Sequence, residues 1–126
     1  VSPAVRHCPG GQLPAEVASR WAGAGLAELT HAPTGYSDLG IVLLELPPGA
    51  AGTAHHHGPG ESLLVVLSGE VVVEWGDGLR DAIQARAGDA LAIEARAIHR
   101  ERNPHSGLPV RYAVYLGSGG TFPVPG

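Results

Sequence analysis

The sequence predicts an all-β fold, a small sandwich or barrel, and three observations carry that reading. The apolar residues come in short runs rich in Val, Leu and Ile. Each run is closed by Gly, Pro or Asp, the residues that supply turn geometry. No helical apolar pattern lies between successive runs, which argues against βαβ units and a parallel sheet.

The elements follow in order. Residues 1–13 read as a loop or edge strand, broken by Pro3, Pro9 and Gly10-Gly11. Pro14 can open a short N-terminal helix across Ala15–Trp21, because proline is tolerated in a first turn and Ala, Glu and Arg favour helix. Gly23 and Gly25 end it. Ile41–Leu46 is an apolar run closed by Pro47-Pro48-Gly49, and Leu63–Leu67 ends at Ser68-Gly69. Glu70–Trp75 is Val-rich and stops at Gly76-Asp77-Gly78. Ile83–Ala85, Ala90–Ile93 and Val110–Leu116 complete the candidate strands, the last preceding a Gly/Ser/Pro-rich tail.

Size and composition narrow the function. The 126 residues suit one domain, residues 1–126, able to bury a core without staples. All eight basic residues are arginine, the net charge is −4, and no basic stripe appears, so nucleic acid is not an expected partner. No apolar run approaches the roughly 20 residues of a membrane span. The single cysteine, Cys8, excludes an internal disulfide framework. With no signal-peptide pattern at the start, a cytoplasmic location is expected.

The chemistry concentrates in His55-His56-His57-Gly58-Pro59-Gly60-Glu61. On an extended chain residues i and i+2 share a face, so His55 and His57 converge while His56 points away. The Gly-Pro-Gly turn can return the Glu61 carboxylate to the two imidazoles. Nitrogen and oxygen donors without thiolate suit one divalent transition metal: Fe, Mn, Ni, Co, Cu or Zn. With Glu61 pointing inward, Leu63, Val65 and Leu67 share its face, yet Leu64 and Val66 are apolar too. A strand apolar on both faces is buried on both, which predicts a homodimer. His7, His31 and His105 read as surface histidines.

These residues resemble the two motifs of the cupins, small double-stranded β-helix (jelly-roll) barrels. The first motif, G-x5-H-x-H-x3,4-E-x6-G, aligns with Gly49, His55, His57, Glu61 and Gly69. Seven residues rather than six separate Glu61 from Gly69, so counting back from Gly69 puts Ser62 in the acidic slot. Glu61 is preferred because serine is a poor ligand. The second motif, G-x5-P-x-G-x2-H-x3-N, aligns with Gly88, Glu94, Arg96, His99 and Asn103, with Glu94 in place of proline and Arg96 in place of the inner glycine. That glycine usually permits a positive φ, so Arg96 marks a reshaped turn. The resemblance covers residues 40–116 and leaves 1–39 as an N-terminal extension. It implies metal ligands His55, His57, Glu61 and His99.

Glu61 and Glu101 are the candidate catalytic carboxylates; Glu101 has the parity of His99 and can act beside the metal as acid or base. Trp75, Tyr112, Tyr115, Arg111 and Glu45 are further candidates for a substrate wall. Glu45 needs solvent or an arginine partner, since an isolated buried carboxylate is costly. The resemblance implies metal chemistry on a small oxygen-rich molecule, foremost a dioxygenase-type oxidation of an enol or diol. A metal-assisted cyclase, isomerase or lyase, or a non-catalytic small-molecule-binding or sensing module, are the alternatives.

Overall fold

A computed structural model describes residues 5, 7, 11–12, 28–31, 40–117, 119–121 and 124–126. The helix expected over Ala15–Trp21 lies outside the described residues. The described chain folds into two antiparallel sheets. The first runs in the order β1 (Gly11–Gln12), β2 (Glu28–His31), β3 (Gly40–Leu46), β10 (Val110–Leu116), β5 (Ser62–Ser68), β8 (Ala90–Ile93). The second runs β11 (Val124–Pro125), β4 (His55–His56), β9 (His99–Arg102), β6 (Glu70–Trp75), β7 (Asp81–Arg86). Among the described residues no helix is long and apolar enough to cross a membrane.

The Val-, Leu- and Ile-rich runs become strands because branched and apolar side chains fit a pleated, half-buried surface. Leu46, Leu64, Val66, Val71, Val110 and Val114 are fully buried between the sheets. Burying each such side chain stabilises the fold by roughly 1.5–3 kcal/mol. Strand β9 lies outside the apolar pattern and reads His99-Arg100-Glu101-Arg102. Its alternation is polar on both sides, with His99 and Glu101 buried and Arg100 and Arg102 half-buried. The outward arginines face Glu74 on β6, Arg100 at 2.8 Å and Arg102 at 3.7 Å.

The parity of β5 is the reverse of the expected one. Ser62, Leu64 and Val66 are buried, whereas Leu63 and Leu67 are 40% and 54% exposed. The inward face is set by pairing with β10, which brings Leu64 opposite Val114 and Val66 opposite Tyr112. The six-residue count back from Gly69 therefore describes the strand, and the extra residue sits in the Gly58–Gly60 turn. Gly69 itself has φ +80°, and a Cβ there would lie 2.6 Å from the Pro109 carbonyl oxygen. A glycine at that turn is thus required twice over, by conformation and by space.

Asn103 closes the end of β9. Its side-chain amide lies within hydrogen-bond reach of the carbonyls of Leu46, Pro47 and Leu108, and its Oδ1 accepts from the His105 N–H. Arg96 corrects the expectation of a reshaped turn. It adopts φ +60°, the left-handed conformation that suits glycine, at a cost of about 1–2 kcal/mol for an L residue. The Arg96 N–H donates to the Gly58 carbonyl at 2.9 Å, so the turn before His99 is tied to the loop after His57.

Candidate metal centre

Three strand ends bring three imidazoles together. His55 on β4 sits directly opposite His99 on β9. His57 follows β4, held by a hydrogen bond from the Thr121 N–H to its carbonyl at 2.9 Å. The ring centroids are 4.3 Å (His55–His99), 5.0 Å (His55–His57) and 5.2 Å (His57–His99) apart. One nitrogen from each of the three buried rings lies within 4.8 Å of the others, an arrangement that can hold a metal ion.

The backbone selects the tautomer. His55 Nδ1 faces the Thr53 carbonyl at 2.7 Å, His57 Nδ1 the Thr121 carbonyl at 3.1 Å, and His99 Nδ1 the Ala97 carbonyl at 2.8 Å. A carbonyl only accepts, so each Nδ1 carries the proton and each Nε2 keeps its lone pair. That arrangement orients a ring for ligation through Nε2. Burial, with His55 and His99 beside it, lowers the His57 pKa to about 4. Burial also lowers the His55 pKa, although Glu101 opposes the shift. Both rings are therefore neutral at pH 7, the form a metal needs.

Glu101, on the strand that carries His99, is 1% exposed and faces the same interior. Its carboxylate oxygens lie 3.6 Å from His55 Nε2 and 3.7 Å from His99 Nε2. Burial would raise its pKa, but the surrounding His55, His99 and His57 outweigh burial and hold it below the ordinary value. Tyr112 on β10 is buried as well, and burial first, then the Glu101 charge, raises its phenol pKa well above 10. The phenol keeps its proton and remains a donor.

The fit to a metal can be read from unsatisfied atoms. Among the described residues, the buried side-chain atoms without a hydrogen-bond partner are His57 Nε2, His99 Nε2, Glu101 Oε2, Ser62 Oγ and Tyr112 Oη. An orphaned buried polar group costs about 1–3 kcal/mol, and three of these atoms, His57 Nε2, His99 Nε2 and Glu101 Oε2, belong to the one buried cluster. Donors of this chemistry fit a divalent ion with further oxygen ligands.

The other candidates separate clearly. Glu61 is exposed, outside the buried group, because Ser62 takes the inward position at the start of β5. His56 is half-buried, and its Nδ1 accepts from the Gly58 N–H at 3.0 Å. His7 and His105 are exposed, and His31 lies on β2, where side chains are not described. Glu45 does have an arginine partner: Arg111 Nε donates to it at 2.6 Å. Tyr115 is on the outer face at 41% exposure.

A cavity of about 330 Å³ opens beside His99, within the usual range for small-molecule sites. Val73, Trp75, Ile83, Leu91, Ala92, Ile93 and Ala97 make it largely apolar, with Glu94 and His99 as its ionisable members. Trp75 belongs there because it stands opposite His99 across β6 and β9.

Solved structures show the same barrel. A protein with a double-stranded β-helix domain from Klebsiella pneumoniae matches at 24% identity and TM-score 0.59, over 67% of this chain and 66% of its own. An oxalate oxidase matches at 20% identity and TM-score 0.69, over 81% and 55%. The DMSP lyase DddQ from Ruegeria pomeroyi matches at 20% identity and TM-score 0.56, over 65% and 39%. The chain thus spans less than two-thirds of each of these structures, and at such identities the likeness is one of fold. No curated protein sequence matches the chain. A family model described as Cupin domain matches residues 42–116, which carry β3 through β10 and all three histidines, and the chain belongs to the cupin family.

Proposed function

We propose that this protein is a metal-dependent enzyme acting on a small organic molecule. The observation that carries the reading is the set of three buried histidines, each with Nδ1 against a backbone carbonyl and with one ring nitrogen of each within 4.8 Å of the others. His55, His57 and His99 would hold the ion. When bound, such an ion supplies Lewis acidity, or dioxygen activation if it is redox-active. The chain's own residues do the rest. The apolar wall at Trp75, Ile83 and Leu91 would receive the substrate body and exclude water. The Ser62 and Tyr112 hydroxyls, buried and unpartnered, would donate to substrate oxygens.

Dioxygenase-type oxidation of an enol or diol is the first reaction to test. An oxidase and a lyase share the fold, so cyclase, isomerase or lyase chemistry is the second reading. Protein loaded separately with iron, manganese, nickel, cobalt, copper or zinc is offered a panel of enols, diols and hydroxy acids. Oxygen uptake and product formation are followed with and without chelator. Chelator-sensitive oxygen uptake is the expected result. Tight, saturable binding of panel members with no turnover under any metal would identify a binding module instead.

We also propose a homodimer in a cytoplasmic setting, the latter in keeping with the lone Cys8. Its interface would be the outer face of the first sheet. Leu63 stands beside Tyr115, and Leu43 and Val65 flank Ala113, forming one apolar patch with Leu67. Sedimentation should show a dimer at micromolar concentration and a monomer for Leu63→Arg. A wild-type monomer would refute the interface.

A further inference from the structure

We propose that Glu101 supplies the carboxylate ligand of the metal centre, from β9, in place of the acid that the first cupin motif carries ahead of β5; this rests on the three-histidine reading above. The usual slot is filled by a serine. Ser62 is the inward residue at the start of β5, with its hydroxyl buried and unpartnered. Glu61, one residue earlier, is exposed. Among the described residues the barrel interior nevertheless holds one carboxylate, and it arrives two residues after His99.

Burial makes this carboxylate demanding. Glu101 is 1% exposed, and its Oε2 has no hydrogen-bond partner among the described residues. The arginines on either side of it in sequence, Arg100 and Arg102, point outward to Glu74. His99, facing it, has its Nδ1 proton on a backbone carbonyl and its Nε2 without a hydrogen-bond partner among the described residues, so it offers a lone pair rather than an N–H group toward the carboxylate. A buried carboxylate whose oxygen lacks a partner is expensive unless a cation shares the site. Its separations from His55 Nε2 and His99 Nε2, 3.6 and 3.7 Å, exceed the roughly 2.7–2.9 Å of a charge-assisted hydrogen bond. They are of the order expected for neighbouring donors that share one ion through bonds of about 2.0–2.2 Å. A divalent cation answers both features at once: the orphaned oxygen and the His99 lone pair aimed at it.

The test uses metal-free protein titrated with cobalt(II), whose d–d absorption reports the number and type of donors. Affinity is measured by chelator competition. Glu101→Gln is expected to weaken binding by at least the roughly 10–100-fold typical of a residue that only supports ligands, and to change the cobalt spectrum. Glu61→Gln should stay within about twofold of wild type with the same spectrum, a small change for an exposed side chain. Wild-type affinity in Glu101→Gln, or weaker binding with an unchanged spectrum, would overturn the ligand role. His57→Ala separates the two levels. If that variant keeps full affinity, the metal centre itself fails, and Glu101 with it. If it loses cobalt while Glu101→Gln does not, only the Glu101 proposal fails. Should Glu101→Gln not fold, ¹³C-carboxylate glutamate in Glu61→Gln protein gives a second readout. A shifted carboxylate stretch on adding cobalt supports ligation, and its absence overturns it.

Discussion

His57→Ala is expected to lower metal affinity by at least on the order of 100-fold. Loss of a residue that merely supports a ligand already costs roughly 10–100-fold, and here a donor nitrogen itself would go. His57 is suited to this test because its ring is buried, its Nε2 has no partner among the described residues, and its backbone lies outside the apolar core. The substitution removes one hydrogen bond to the Thr121 carbonyl, a net loss of about 1 kcal/mol, so the barrel should survive. Elemental analysis after dialysis, with circular dichroism as a folding control, provides the measurement. Wild-type protein should retain about one ion per chain and the variant almost none. Equal metal content in the two would mean that the ion sits elsewhere.

The second large effect is acid sensitivity of the metal-free protein. His57 titrates near 4 when folded, against an ordinary value of 6.5. Between those values the unfolded chain binds a proton that the folded chain refuses, so stability rises with pH through the window. The contribution is fully present above about pH 6.5 and is lost as pH falls toward 4. Moving this ring from 6.5 to about 4 corresponds to about 3 kcal/mol, on a side chain that is almost wholly buried. His55 shifts in the same direction and adds to it. Urea midpoints of apoprotein should therefore change little between pH 7.5 and 6.5 and fall from pH 6.5 through 5.5 to 4.5, and those of His57→Gln should fall less. A flat profile from pH 7 to 5 would show that the rings are not buried in neutral form.

Much of the barrel is legible in sequence because hydrophobic burial writes itself into composition. Ile41–Leu46, Glu70–Trp75, Ala90–Ile93 and Val110–Leu116 stand out as apolar runs between turn residues, and they correspond to β3, β6, β8 and β10. β9 does not, since His-Arg-Glu-Arg carries no apolar signal. It is a strand because its inner side chains line a polar site and its outer arginines face Glu74. The signal that could have revealed it is the alternation itself, with His99 and Glu101 two apart. β4 is too short, and β11 too dependent on pairing with it, to read locally.

The spacing of His55, His57 and His99 in two ordered motifs was enough, without coordinates, to place the chain among the cupins and to name the imidazoles. Side-chain period along a strand decides which residues share a face, but not which face is inside. That choice belongs to β10, whose pairing with β5 turns Ser62 inward and leaves Glu61 exposed. Only the folded barrel shows that the buried carboxylate lies in the second motif and not the first. Glu101 becomes its carboxylate because β9 crosses beside β4 and delivers His99 and Glu101 to the same buried point.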